Sequence, residues 1–169
     1  EEWGPPHHHD HTIFEFLTLQ SAQAGLSWIT SLHRREKYRK AFPGFDPAKV
    51  AAFTETDVER LMQDAGIIRN RAKIRAAVSN ARLFLELQQE FGSFCAYLKR
   101  FLPDGKPVVN HWKTLSEVPA STPLSDAISK DMKKRGFKFF GTTICYAHLQ
   151  AVGCVNDHLV GCICRAGQQ

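Results

Sequence analysis

The sequence predicts an all-α protein. Apolar residues recur at helical spacing over most of its 169 residues. Alternating strand patterns are nearly absent, and Phe137 with Phe139 is too short a run to count as one. Proline and glycine fall where helices should begin and end.

Ile13, Phe16, Leu17, Gln20 and Ala24 follow the i, i+3, i+4, i+7, i+11 pattern of a first helix, with the amide of Gln20 on its apolar face. Thr56-x-x-Glu59 reads as a capping box ahead of Val58, Leu61, Met62 and Ala65, and Gly66 can close that helix. Ile74, Ala77, Val78, Ala81 and Leu85 mark a longer helix over about residues 69–88. Phe94, Tyr97, Leu98 and Phe101 mark a short one, followed by the turn-rich segment Pro103-Asp-Gly-Lys-Pro107. Thr122-Pro123 is a helix start with proline at the first helical position. That helix carries Leu124, Ala127, Ile128 and Met132 and stops at Gly136; a last helix starts near Thr142 and ends near Gly153.

Length and composition fit one domain, 1–169, with a sizeable core. No apolar run is long enough to cross a bilayer. The five cysteines are an odd number and none lies in the first half, which does not suit a secreted disulfide framework. With no visible signal peptide, a cytoplasmic location is expected. The net charge of +5 and the pI of about 9.0 lean towards a polyanionic partner. The charge is clustered. Arg34, Arg35, Lys37, Arg39 and Lys40 form one block, Arg69, Arg71, Lys73 and Arg75 a second, and Lys130, Lys133, Lys134, Arg135 and Lys138 a third. These are either solvated helix faces or parts of one nucleic-acid surface.

Gly136-Phe-Lys-Phe-Phe-Gly141 lies between a helix with a basic end and a helix start, Thr142-Thr143. Glycine lets the backbone approach a phosphate, and a helix N-terminus offers unpaired N–H groups and a positive dipole end. Residues of about 125–152 therefore read as a helix-hairpin-helix clamp that grips DNA without reading sequence, or as a plain αα-corner. Its contacts would be Gly136, Lys138, Gly141, Thr142 and Thr143.

His158 and Cys162, four apart, can bind one soft divalent metal from the same side, but two ligands are half of a tetrahedral site. The segment 156–164 is thus a zinc half-site or a tail with buried thiols. Gln20-Ser-Ala-Gln23-Ala-Gly25-Leu26-Ser27-Trp28 sets amides, a glycine and a tryptophan within nine residues. It is a helix end with a core Trp, or a base pocket. In the latter, Trp28 gives a face that attracts a cationic ring and Gln20 an amide that matches an adenine edge. GxSxG, Walker and Rossmann fingerprints are absent, and no carboxylate pair stands out by spacing.

Four blocks carry a family resemblance: Gln23-Ala-Gly-Leu-Ser-Trp-Ile-Thr30, Gln63-Asp-Ala-Gly-Ile-Ile-Arg69, Lys133-Lys-Arg-Gly-Phe-Lys-Phe-Phe-Gly-Thr-Thr-Ile-Cys-Tyr146 and Val155-Asn-Asp-His-Leu-Val-Gly-Cys162. They resemble 3-methyladenine DNA glycosylase I, as does the start Glu2-Trp3-Gly4. The resemblance covers nearly the whole chain. It implies a helix-hairpin-helix repair enzyme that removes 3-methyladenine from alkylated double-stranded DNA as the free base; a monomer is the default for such a lesion-scanning enzyme. It implies a base pocket including Trp3, Gln20 and Trp28, a wedge at Leu26, no catalytic aspartate, and a structural zinc ion whose C-terminal ligands match His158 and Cys162.

Two departures from the family pattern bear on function. Family members begin with a further segment carrying a Cys and a His ligand, so the chain reads as trimmed and its zinc site as incomplete. Gln20 stands where the family usually has Glu, removing a negative charge beside a cationic base. The alternative expectation is a non-catalytic protein of the same fold that recognises damaged DNA.

Overall fold

The computed structural model describes residues 7–168, with backbone only for Trp28 and residues 166–168. Nine α-helices are formed among the described residues. The first, α1 (Asp10–Gln23), has every residue from Ile13 to Ala22 buried. A helix buried on all sides is the centre of a fold rather than a surface element. The one-sided face expected from Gln20 and its neighbours is therefore too narrow a description. The cost of burying Glu15 is offset by two arginines: its Oε1 accepts from Arg35 Nε at 2.6 Å and Arg39 Nη2 at 2.9 Å.

Short helices α2 (Trp28–Leu32), α3 (Arg35–Ala41) and α4 (Pro47–Ala51) follow, and then α5 (Glu55–Met62). The capping box of α5 is Thr54 with Asp57, two residues earlier than the sequence reading; Thr54 N donates to Asp57 Oδ2 at 2.9 Å. Glu59 pairs with Arg71 instead.

The long helix α6 (Arg71–Phe91) is capped by Asn70, whose Oδ1 accepts from Lys73 N at 3.1 Å. It packs on α1, α4 and α7 (Phe94–Lys99). Phe84 stacks on Phe94 with centroids 4.5 Å apart, and Phe14 meets Phe84 edge-on at 5.1 Å. The last pair, α8 (Pro123–Arg135) and α9 (Thr142–Ala151), pack on each other, and α9 also packs on α1. Thr122 caps α8 and Pro123 opens it, as the sequence suggests. A minor departure from an all-α fold is one parallel ladder of two-residue strands, β1 (Val108–Val109) with β2 (Val155–Asn156). It ties the segment after α9 to the loop after α7. No helix among the described residues is long and apolar enough to cross a membrane.

Candidate nucleic-acid interface

The segment between α8 and α9 is a hairpin held at both ends. Gly136 has φ +108°, which a side chain would strain, and it ends α8 in a Schellman arrangement. Gly136 N donates to Lys133 O and Phe137 N to Met132 O, each at 3.0 Å. Phe137 and Phe140 are buried, while Lys138 and Phe139 point outward. Phe139 has φ +55°, a left-handed conformation that costs a non-glycine residue on the order of 1–2 kcal/mol. Asn80, 1% exposed on α6, fixes the turn: its Nδ2 donates to Lys138 O at 3.0 Å.

These bonds decide which backbone groups can meet a phosphate. The amide of Gly136 is taken by its own helix cap, so Gly136 can shape a phosphate clamp but not donate to it. The amides of the first turn of α9, from Thr142 to Ile144, have no intrahelical acceptor. The Thr142 hydroxyl is not open, since it donates to Asp126 Oδ1 at 2.6 Å and contacts Ser125 Oγ at 2.8 Å. Gly141 and Thr143 are exposed. Beside them lies a cleft of ≈ 690 Å³ lined by Lys130, Lys133, Lys138, Phe139, Gly141 and Thr142, among others.

The loop after α1 presents a second feature. Gly25 has φ +80°, and the next residue, Leu26, is 43% exposed. Gln23 pins Leu26 from both sides: Leu26 N donates to Gln23 O at 2.6 Å, and Gln23 Nε2 donates to Leu26 O at 3.1 Å. Gln23 therefore shapes the loop. Lys73 joins the two features. Its Nζ donates to Ala22 O at 2.9 Å and Ala24 O at 2.5 Å, and lies 5.9 Å from the centroid of the Phe139 ring. Burial lowers its pKa. The leucine loop and the hairpin are thus neighbours on one surface.

Behind that surface, Gln20 is 3% exposed and His148 fully buried. Gln20 Oε1 and His148 Nδ1 are 2.8 Å apart, linking α1 to α9. Burial pushes the His148 pKa down to about 3, so the ring is neutral. Trp3 and the side chain of Trp28, the other expected pocket members, lie outside the described residues.

Two of the three basic blocks are used mostly inside the protein. Arg34 donates to Ala65 O, Arg35 and Arg39 hold Glu15, Arg71 pairs with Glu59 and Arg75 with Glu55. In the third block Arg135 is turned inward, pairing with Glu90 and Asp131 and lying over the Phe91 and Tyr97 rings. Lys130, Lys133, Lys134 and Lys138 of that block are exposed.

The C-terminal segment is organised by Asp157, 6% exposed. Its Oδ1 accepts from Asn110 Nδ2 and Trp112 Nε1, each at 2.7 Å; its Oδ2 accepts from Gln150 Nε2 at 2.7 Å and from the Tyr146 hydroxyl. Burial raises its pKa, but the four hydrogen bonds more than offset this and hold it below the usual carboxylate range. With its acceptor sites occupied, Asp157 is structural. Next to it, His158 Nδ1 and Cys162 Sγ lie 3.6 Å apart. Zn–N and Zn–S bonds of about 2.05 and 2.3 Å at a tetrahedral angle give an edge of about 3.6 Å, so the pair fits two corners of such a site. No group of three metal-binding side chains forms among the described residues.

The model of the methyladenine glycosylase family matches residues 1–166. The chain belongs to that family. Among its relatives is DNA-3-methyladenine glycosylase 1 of Escherichia coli (strain K12), 54% identical over 168 residues, covering 99% of this chain and 89% of the relative. DNA-3-methyladenine glycosylase of Haemophilus influenzae is 46% identical, covering 98% and 89%. A crystal structure of a variant of 3-methyladenine DNA glycosylase I in complex with 3-methyladenine superposes with a TM-score of 0.94 at 36% identity, covering 98% of this chain and 88% of that one. Within this methyladenine glycosylase, Asn80 and His148 are residues that sequence reading missed, and Lys73 reads from the sequence only as a member of a basic block. Asn80 and His148 carried one faint signal, a polar side chain amid the apolar spacing of a helix.

Proposed function

We propose that this protein is a monofunctional glycosylase of base-excision repair that hydrolyses the N-glycosidic bond of 3-methyladenine in alkylated DNA. The observation that carries this reading is the meeting of the lysine-lined hairpin with the leucine loop across Lys73. The segment α8–hairpin–α9 acts as a helix-hairpin-helix clamp on one strand, through the first turn of α9 and the ammonium groups of Lys133 and Lys138. Extrusion of a damaged base costs less than that of a paired one, and Leu26 fills the gap it leaves. The extruded base stacks on Trp28, with Trp3 in the same pocket, and Gln20 meets its edge.

Methylation at N3 makes the purine cationic, so the leaving group is already activated. Water forms a bond to the sugar C1′ as the C1′–N9 bond breaks. The bond electrons neutralise the purine, which leaves as the free base, and the water proton passes to solvent. No general base is required of Asp157, whose oxygens are engaged elsewhere.

His158 and Cys162 would supply two ligands of a structural zinc ion. Bound there, zinc would brace the C-terminal turn and take no part in the reaction.

Incubation with N-methylated duplex DNA, with released bases resolved by chromatography, tests the reading. Free 3-methyladenine is expected. Retained binding to the methylated duplex without base release would make the protein a damaged-DNA binder. Zinc found in the purified protein by elemental analysis, with a melting temperature that a chelator lowers, would support the ion. Metal-free protein with an unchanged melt would remove the ion.

A further inference from the structure

We propose that His148 is a specificity-determining positioning residue. It holds Oε1 of Gln20 and so turns the amide N–H groups, rather than an acceptor, towards the extruded base. The inference rests on the reading above, in which Gln20 meets the base.

The geometry leaves His148 little freedom. It is fully buried on α9, with the Phe140 ring 5.4 Å away at 76° and the Phe94 ring 6.4 Å away at 88°. Among the described residues its Nε2 has no hydrogen-bond partner. A neutral imidazole carries one N–H. Placed on Nε2, that N–H would be buried without an acceptor and would bear its full desolvation cost. Placed on Nδ1, it donates to Gln20 Oε1 at 2.8 Å and leaves only a lone pair between the aromatic rings. The second tautomer is favoured, and it fixes the amide. The Oε1–Nδ1 contact is the one hydrogen bond of the Gln20 side chain among the described residues. The amide group left to face a ligand is Nε2, a donor.

A carboxylate at this position would offer only acceptors, suited to the exocyclic amine of adenine. An amide whose oxygen is turned towards His148 presents its N–H donors instead. Adenine presents N7 and an N6 amine at that edge, whereas guanine presents two acceptors, N7 and O6. The Gln20–His148 pair therefore favours N3-methylated purines with a carbonyl edge, moving selectivity from 3-methyladenine towards 3-methylguanine relative to a carboxylate pocket.

The experiment compares release of 3-methylguanine and 3-methyladenine from the same methylated duplex by the native protein and by Gln20→Glu, His148→Leu and His148→Asn. One hydrogen bond gained or lost should move the ratio by about tenfold. Gln20→Glu should lower the ratio of guanine to adenine product by that factor. His148→Leu should lower it too, because the amide is freed to turn. His148→Asn, whose Nδ2 can replace the Nδ1–H donor, should restore it. Nitrogen-15 NMR of labelled histidine in the native protein should find His148 as the Nδ1–H tautomer. An Nε2–H tautomer, or base release with one ratio in all four proteins, overturns the inference. Absence of any base release by the native protein instead defeats the glycosylase reading, and the inference with it.

Discussion

Asn80 and Lys138 pair as two neighbouring strands would: the Lys138 N–H donates to Asn80 Oδ1 at 3.0 Å, and Asn80 Nδ2 donates back to the Lys138 carbonyl at 3.0 Å. One buried amide thereby sets the backbone of the hairpin. Asn80→Ala removes both bonds and should cost about 2 kcal/mol. It should also weaken binding to duplex DNA, although Asn80 lies behind the hairpin. Urea denaturation and fluorescence anisotropy measure the two effects. Lost stability with unchanged DNA affinity would place the DNA elsewhere on the protein.

The exposed lysines of the third block should set the salt dependence of binding. Lys133→Ala and Lys138→Ala are each expected to flatten the slope of log affinity against log salt by about 0.9. Arg75→Ala is the control, since Arg75 pairs with Glu55 and should leave the slope where it was. Equal slopes for all three variants would remove the lysines from the phosphate contacts.

Lys73 should matter for excision more than for affinity. Lys73→Met leaves the carbonyls of Ala22 and Ala24 without their charged donor and loosens the leucine loop. Base release should fall by about tenfold or more, the equivalent of one charge-assisted hydrogen bond. The salt slope should stay unchanged. A reduced slope with normal excision would make Lys73 a phosphate contact instead.

Acid should destabilise the fold through His148. Its folded pKa of about 3 lies below the ordinary value near 6.5, so between these values the unfolded chain binds a proton that the native protein does not. The contribution is complete above pH 6.5 and is lost as pH falls towards 3, by about 1.4 kcal/mol per pH unit. By pH 5 the loss should be about 2 kcal/mol. Asp157 adds to it only at lower pH, as its depressed pKa is approached. His148→Leu should show a flatter stability curve between pH 6 and 4 than the native protein. Parallel curves would mean that His148 accepts its proton in the folded state.

Local signals in the chain were readable, and long-range ones were not. The spacing of Ile74, Ala77, Val78 and Ala81 placed α6, and Thr122-Pro123 with Gly136 bounded α8, because caps and periodicity are properties of a few adjacent residues. Near α5 the sequence reading places the capping box two residues too late. The residue types of the box motif point to Thr56 with Glu59, but the fold uses Thr54 with Asp57, and Glu59 pairs with Arg71, twelve positions on. The basic blocks had the right residues, but patterning could not show that Arg35 and Arg39 serve Glu15. The same limit hides the site. Gln20 meets His148 across 128 positions, Asn80 meets Lys138 across 58, and Lys73 meets Ala22 across 51. Such pairs exist only once the helices are packed.

The burial of α1 on every side also limits how this protein can evolve. The helix that carries Gln20 is the axis of the core, so a mutation that retunes base preference there also draws on a total stability of only about 5–15 kcal/mol. Variants at Gln20 that change its volume would be lost to misfolding before selection could act on their chemistry. Adaptation is steered instead towards α9, where a change at His148 can redirect the same amide and leave the central helix untouched.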